Sequence, residues 1–208
     1  MKTIGIDAAL AETGWVIIED DGRLTDWGVI STDAGDKSGK AEFERVRALR
    51  FQISEVLAKT PMPKGDKTNV LTVAIERTDW IHGSEMGREA KARGSLGLGV
   101  AAAYLACDDF GIVPYVLGVR EWMNLFGTRS KNETAIMVAR CYSALFCVEH
   151  PTPRLRRNRK GELTGGLVGD PIIRTIEDGK RVPSHVTDAI ALALVVQRLI
   201  ALERRANG

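Results

Sequence analysis

The stretch "TIGIDAALAETGWVIIEDDGRLTDWGVIST", residues 3–32, alternates short apolar runs with turn residues. The runs TIGID, GWVIIED and TDWGVIST contain many β-branched and aromatic residues, and a DDGR turn centred on Asp21 and Gly22 separates the last two. This pattern predicts three strands in an antiparallel meander.

Helices and strands alternate after the meander. Residues 70–76, "VLTVAIE", form a nearly continuous apolar run, which is typical of a strand covered on both faces. Before this run, residues 40–59 have apolar side chains at helical spacing, namely Phe43, Val46, Leu49, Ile53, Val56 and Leu57. Further along the chain we predict a helix from about residue 84 to 108, a strand in 111–118, a helix in 129–146 and a last helix N-capped by Ser184. The fold class is therefore α/β, with a mixed five-stranded sheet of three antiparallel strands followed by parallel strands, flanked by helices.

The length of 208 residues and the hydrophobic fraction of 44% suit one soluble domain. We expect a single domain over residues 1–208, with an inserted basic loop or arm at about 149–183. Apolar runs such as 100–106 are too short to span a membrane, and the N-terminus lacks a signal-peptide pattern, so we expect the protein in the cytoplasm.

The three cysteines, Cys107, Cys141 and Cys147, have no metal-type spacing. We interpret them as thiols packed in helices, which removes zinc and disulfides from consideration.

The net charge of +2 says little about partners, but the basic residues are unevenly distributed. Residues 150–163, "HPTPRLRRNRKGEL", contain Arg154, Arg156, Arg157, Arg159 and Lys160. Such a run suits a phosphate backbone, and a solvated loop without a partner is the alternative.

Two carboxylates follow predicted buried strands: Asp7 ends the first, and Glu76 ends the strand of residues 70–76. At the start of the last helix, "SHVTD" places His185 and Asp188 three residues apart, on one helix face. Packing of this helix on the sheet would bring Asp188 toward Asp7 and Glu76.

Each of these residues has an ordinary explanation when it is considered alone. Asp7 could cap the turn that follows it, Glu76 could pair with Arg77 or Arg88, and Asp188 could stabilise its helix N-terminus. His185 could be a structural histidine. Their order along the chain favours a common site, because converging carboxylates repel one another unless cations neutralise them. A pair of divalent ions would do so, and two Mg²⁺ ions near a phosphodiester can activate water and stabilise the leaving oxygen.

At this point the chain resembles the RuvC family of Holliday junction resolvases, members of the ribonuclease H-like superfamily. Three stretches carry most of the resemblance: "IGIDAALAETGWVIIED", "VAIERTDWIHGSEMGREAKARGSLGLGVAAA" and "HVTDAIALALVVQRL". Between the last two, "VPYVLGVREWMNLFGTRSKNETAIMVARCY" is similar to the family's strand, basic loop and helix. Residues 149–183 are not covered.

The resemblance implies an Mg²⁺-dependent crossover junction endodeoxyribonuclease of DNA recombination and repair, which would be cytoplasmic and nucleoid-associated, or in the host cytoplasm if viral. Asp7, Glu76 and Asp188 would be catalytic metal ligands, with His185 as the fourth ligand. Two Mg²⁺ ions per site are implied, with Mn²⁺ as a substitute. Lys131 matches a catalytic basic residue near the scissile phosphate.

The resemblance also implies a homodimer that nicks opposed strands of a four-way junction. The Gly- and Ala-rich helix at about 84–108 matches the family's dimer helix. We assign DNA binding to Arg120, Arg129 and the basic run at 154–160. Two departures stand out: Ala8 and Ala9 replace a Pro-Gly pair, and Asp79 occupies the place of an aromatic wedge, so Trp80 receives that role.

Other functions remain open from the residues alone. A ribonuclease H-like nuclease could act on RNA–DNA hybrid or other branched DNA, or the chain could be a transposase catalytic domain, for which 208 residues leave little room. An actin-like or sugar-kinase-like ATPase half needs a glycine soon after the first aspartate, where Ala9 stands. A catalytically silent junction-binding protein would bind without magnesium-dependent cutting.

Overall fold

The computed structural model describes residues 1–33, 38–60, 71–77, 86–150, 154–157, 163–168 and 170–207, and for 86–96, 154–157, 163–168 and 207 the backbone alone. The strands are β1 (Lys2–Asp7), β2 (Glu12–Glu19), β3 (Leu24–Ser31), β4 (Leu71–Arg77), β5 (Tyr115–Gly118), β6 (Phe146–Glu149), β7 (Arg154–Arg157), β8 (Leu163–Val168) and β9 (Ile172–Thr175). The helices are α1 (Gly39–Ala58), α2 (Met86–Asp109), α3 (Val119–Phe126), α4 (Lys131–Cys141) and α5 (Ser184–Asn207).

The central sheet has five strands in the order β3-β2-β1-β4-β5. β1 pairs with β2 and β2 with β3 in antiparallel fashion, whereas β4 lies parallel to β1 and β5 parallel to β4. The predicted fold class is therefore confirmed. Because β1 and β4 are parallel neighbours, their carboxyl ends lie at the same edge of the sheet.

Each face of the sheet is covered by helices. Ile4 and Ile6 of β1 pack with α1 and α2 on one face, and Val16 and Ile18 of β2 pack with α3, α4 and α5 on the other. β1 and α5 come so close that a Cβ on Gly5 would lie 2.1 Å from the Ala189 carbonyl oxygen. This close approach fixes α5 directly on the strand that carries Asp7.

Helix α5 corrects two sequence predictions. It begins at Ser184 itself, so this residue lies inside the helix instead of capping it. Residues 184–206 are also long and apolar enough to cross a membrane by length and composition alone, contrary to the expectation that every apolar run is too short. The core helix of a soluble protein passes the same test, and most of this helix is buried within the protein.

The chain between β5 and β6 differs from the predicted single helix. Helix α3 is absent from the sequence prediction, although Val119, Trp122, Met123 and Phe126 have helical spacing and pack against the core. Helix α4 ends at Cys141, and residues 146–149 form β6. Two helices therefore occupy a region in which the sequence predicts a loop and one helix.

Two details of the other helices also differ. Phe43 of α1, expected on the apolar face, is 60% exposed. In α2, Gly99 lies against another part of the backbone, since a Cβ there would be 2.8 Å from Ala9, whereas a Cβ on Gly97 would meet no atom within 4 Å in the described structure. The contact at Gly99 lies within one chain.

The region predicted as an inserted loop or arm contains short strands. β6 pairs with β9, and β7 pairs with β8, both in antiparallel fashion. The interpretation of the cysteines as helix-packed thiols is correct for Cys107, which is buried in α2. It is wrong for Cys147, an exposed residue of β6, and Cys141 is exposed at the end of α4.

Candidate active site

Asp7 and Glu76 meet at one edge of the sheet. The register of β1 and β4 pairs Ile6 with Ile75, so the residues that follow them are at the same level. Both side chains are largely buried. The turn after Asp7 is closed by Thr13, which exchanges hydrogen bonds with the Ala9 backbone, so Asp7 is not its cap.

Helix α5 adds a third carboxylate. Asp188 has a side chain only 1% exposed, and one oxygen each from Asp7, Glu76 and Asp188 lie within 4.8 Å of one another. The first turn of α5 is held against β2, since a Cβ on Gly14 would lie 2.3 Å from the carbonyl carbon of His185. The predicted convergence of the three carboxylates is present in the structure.

His185 lies beside Asp7. Its Nδ1 is 2.7 Å from Asp7 Oδ2, and the side chain is partly exposed. The hydrogen bond to Asp7 raises the pKa of His185, and this effect outweighs the opposing effect of burial. The imidazole therefore fixes the orientation of Asp7 from the solvent side.

Lys131 reaches the cluster from the first turn of α4. Ser130 caps this helix by accepting a hydrogen bond from the Glu133 backbone, which fixes the position of Lys131. The Lys131 ammonium is 2.5 Å from Asp188 Oδ2 and 4.0 Å from Glu76 Oε1. Burial lowers its pKa, but the attraction of the Asp188 and Glu76 carboxylates is larger in sum, and the pKa is raised.

Glu76 is the most strongly perturbed acid of the cluster. Burial, followed by repulsion from Asp7, raises its pKa to about 8, while Lys131 opposes the shift. Glu76 Oε2 accepts a hydrogen bond of 2.9 Å from the indole nitrogen of Trp122. Without a further cation, repulsion and burial thus favour a proton on this carboxyl.

The donor set fits a hard divalent cation. Burial also raises the pKa of Asp188, again against the effect of Lys131. Asp188 Oδ1 is buried and has no hydrogen-bond partner among the described residues. An uncompensated buried carboxylate oxygen beside two other carboxylates is a good ligand for Mg²⁺ or Mn²⁺, which prefer oxygen donors.

The remaining predicted site residues are not part of this cluster. Arg120 is exposed in the first turn of α3, and Arg129 is exposed two residues before Lys131. Of the basic run, Arg154, Arg156 and Arg157 belong to β7, whose backbone alone is described, and Arg159 and Lys160 lie outside the described residues. Trp80 also lies outside them.

Trp122 is a residue of this site that the sequence prediction lacks. It is fully buried under the end of β4, in a helix that is likewise absent from the prediction. The apolar spacing of α3 and the Glu121 carboxylate, which accepts a hydrogen bond from the Gly118 backbone, are signals that could have revealed the helix.

Comparison with known proteins identifies the fold. No protein-family model matches the chain, and no curated protein sequence matches it. Among solved structures, T. thermophilus RuvC in complex with a Holliday junction substrate is 20% identical with a TM-score of 0.61, and the match covers 97% of this chain and 96% of that chain. A second Thermus thermophilus RuvC structure is 19% identical with a TM-score of 0.60 and the same coverage.

The yeast mitochondrial Holliday junction resolvase Ydc2 is 15% identical with a TM-score of 0.47, covering 96% of this chain and 78% of that chain. The two RuvC structures establish that this chain has their fold over nearly its whole length.

Proposed function

We propose that the chain is a metal-dependent endonuclease that resolves four-way DNA junctions by symmetric phosphodiester hydrolysis. One observation carries this proposal: one oxygen each from three carboxylates lie within 4.8 Å of one another at one sheet edge, and the buried Oδ1 of Asp188 has no hydrogen-bond partner in the described part of the chain. The fold is that of RuvC, which has been solved in complex with a Holliday junction substrate.

Asp7, Glu76 and Asp188 are the proposed ligands for divalent cations. We propose that two Mg²⁺ ions bind at this site. When bound, such cations neutralise the carboxylates, polarise a phosphodiester and acidify the attacking water. Because Nδ1 of His185 is bonded to Asp7, Nε2 is the ring atom through which His185 would bind a cation or exchange a proton. Lys131 would stabilise negative charge that develops on the phosphate.

The same proposal includes a homodimer and a DNA-binding arm. Dimerisation would use α2, on which the large apolar side chains of Tyr104 and Leu105 are about two-fifths exposed. Residues 149–183 would form the arm of a single nuclease domain. Asn132 donates a hydrogen bond of 2.8 Å to Asp170, which connects the arm to the helix that carries Lys131.

A cleavage assay on defined substrates tests the function. The full chain is incubated with a synthetic four-way junction, a matched linear duplex and an RNA–DNA hybrid, with and without Mg²⁺, and the nicks are mapped. We expect paired nicks symmetric about the crossover, on the junction alone and only with Mg²⁺. If the chain cuts the RNA–DNA hybrid in preference to the junction, it is a different nuclease of the same fold. If it binds the junction without cutting it, it is a catalytically silent junction-binding protein.

The Asp7→Asn variant tests the site in the same assay. We expect it to lose cleavage and keep junction binding, because it removes one charged ligand and leaves the DNA-binding surface intact. Asp20→Asn is the matched control, since Asp20 is an exposed carboxylate at the β2–β3 turn. Cleavage by Asp7→Asn at the wild-type rate would refute the metal assignment.

A further inference from the structure

Trp122 connects the hydrophobic core to the carboxylate cluster. Its indole is fully buried, and its only polar atom, Nε1, donates to Glu76 Oε2 at 2.9 Å. A buried N–H without an acceptor is unfavourable, and so is a buried carboxylate without a donor. The two groups satisfy each other, but the contact also restrains the carboxylate.

We propose that Trp122 is a positioning residue for cation binding, which holds the Glu76 carboxylate in the rotation that presents Oε1 to the cluster. This role rests on the proposed function, because it serves the same site. The two oxygens of Glu76 have different surroundings: Oε2 receives the indole, whereas Oε1 is the oxygen nearest Lys131, at 4.0 Å. Rotation of the carboxylate would break the indole hydrogen bond.

The support of Trp122 is itself rigid. Helix α3 follows β5 directly, and its first turn is fixed by the hydrogen bond from the Gly118 backbone to Glu121. Its end is closed by Gly127 in the left-handed conformation, with a φ of 87°. β5 is also the parallel neighbour of β4. The helix that carries Trp122 therefore starts at the end of the strand next to the one that carries Glu76.

Glu76 needs such a restraint more than the two aspartates do. A glutamate side chain has more rotatable bonds than the aspartates beside it, so fixing it in one geometry costs more conformational entropy. The hydrogen bond from Trp122 orders the Glu76 side chain before the cation binds, so that binding loses less conformational entropy. Partners that orient metal ligands in this way typically change metal affinity or activity by about 10–100-fold when they are removed.

Trp122→Phe removes the indole N–H and keeps an aromatic ring in the core. The matched control is Trp27→Phe, because Trp27 is a partly buried tryptophan that packs edge-to-face on Phe146 in another part of the same core. For the full chain, Mg²⁺ and Mn²⁺ affinities are measured by titration calorimetry, and junction cleavage is measured as kcat and KM.

We expect Trp122→Phe to weaken metal binding by about 10–100-fold and to lower kcat with little change in the KM for DNA. Trp27→Phe should behave as wild type in both measurements. In a Glu76→Ala background, Trp122→Phe should have little further effect, because the acceptor through which Trp122 acts is absent. Wild-type metal affinity in Trp122→Phe, or an undiminished effect in the Glu76→Ala background, would overturn the role.

A measurement on the wild-type chain covers the case in which Trp122→Phe does not fold. The indole N–H resonance of Trp122 in the ¹⁵N-labelled protein can be assigned by elimination, using separate Phe variants of the other three tryptophans. We expect it to shift on Mg²⁺ addition more than the other indoles do. An unchanged resonance at saturating Mg²⁺ would overturn the role.

These outcomes separate the positioning role from the proposed function. A wild-type chain that binds Mg²⁺ but does not cut junctions refutes the function only, since the calorimetric comparison still tests Trp122. A chain that cuts junctions equally well with Trp122→Phe refutes the role only. A chain that binds no divalent cation refutes both.

Discussion

At the residue scale, Lys131 is the cation that the carboxylate cluster holds in this structure. Its ammonium lies beside Asp188 and close to Glu76, while almost half of its side chain is exposed. A flexible, half-exposed ammonium can leave the carboxylates for a phosphate oxygen. The same group would therefore neutralise the site before a divalent ion binds and contact the substrate afterwards.

Replacement of Lys131 with methionine separates these two contributions. We expect cleavage to fall by about 10²–10³-fold, which is the usual loss for one group that stabilises developing charge. The affinity for Mg²⁺ should rise, because the ammonium no longer competes with the cation for Asp188. Calorimetry and single-turnover cleavage measure the two effects, with Lys40→Met, a change of an exposed lysine at the start of α1, as control. Weaker Mg²⁺ binding by Lys131→Met would contradict the competition.

The pKa shifts of Glu76 and His185 predict how the free energy of unfolding depends on pH. Folding raises the pKa of Glu76 from 4.5 to about 8. At pH values between these two, Glu76 is protonated in the folded chain and ionised in the unfolded chain, so the free energy of unfolding falls as pH rises. Folding also raises the pKa of His185, whose contribution is present below about 6.5 and is lost as pH rises through its folded value. Both groups act in the same direction.

We therefore expect the metal-free chain to be less stable at about pH 8 than at about pH 5, each unit of pKa shift being worth about 1.4 kcal/mol at most. Saturating Mg²⁺ should restore stability most strongly at the higher pH, since it binds the ionised form of the folded chain. Urea unfolding with EDTA or with Mg²⁺ measures this. Glu76→Gln should flatten the profile and Glu44→Gln, at an exposed position on α1, should not. A metal-free stability that rises with pH would show that Glu76 is not held neutral.

At the element scale, the position of α5 on the sheet sets the geometry of the site. Two glycines allow it: Gly5 of β1 lies against Ala189, and Gly14 of β2 lies against the backbone of His185 and Val186. Backbone atoms cannot move aside as side chains do. The register of α5 on β1 and β2 is therefore fixed within one turn of Asp188.

Gly14→Ala tests this contact. Its Cβ would lie 2.3 Å from the His185 carbonyl, so the first turn of α5 must shift. We expect a loss of about 1–3 kcal/mol in the free energy of unfolding and a loss of about 100-fold in cleavage rate, because His185 and Asp188 move together. Chemical denaturation and the junction assay measure the two losses.

Gly39→Ala is the control for that variant. A Cβ at this first position of α1 meets no described atom within 4 Å, and alanine favours the helix by up to about 1 kcal/mol. This variant should therefore keep its activity and its stability. Equal stability and activity of Gly14→Ala and wild type would contradict the close packing of α5.

The elements differ in how well the sequence predicts them. The meander, β4 and α5 are predicted because their apolar patterns are strong. The order of strands places Asp7 and Glu76 at one edge, and the packing of α5 brings Asp188 to them. Helix α3 escapes prediction because it is short and its chain continues from a strand without a turn signal. The contact between Trp122 and Glu76 is a tertiary one, which no local pattern in the sequence can specify.

At the scale of the whole molecule, the charge distribution decides how DNA would bind. The net charge is small, but five basic residues fall between positions 154 and 160. The arm that contains them is connected to the start of α4 by the hydrogen bond between Asn132 and Asp170. We propose that this basic arm binds a phosphate backbone.

A variant with all five of these residues changed to glutamine tests the arm. If the arm binds a duplex, the slope of log Kd against log salt for a four-way junction should fall by about 0.9 for each phosphate that the variant no longer neutralises. The control is Arg204→Gln with Arg205→Gln, in the exposed last turn of α5. These residues are on the order of 25 Å along the helix from Asp188, at about 1.5 Å per residue. An unchanged slope in the arm variant would mean that the run is a solvated loop.

The carboxylates of the site come from elements that are far apart along the chain, which determines when the site can form during synthesis of the protein. Asp7 belongs to β1 and Asp188 to α5, so Asp7 is translated well before Asp188. A growing chain on the ribosome holds no complete set of acidic groups until that helix has left the exit tunnel. Fragments that end before α5 lack Asp188, so they do not contain the complete set of three carboxylates.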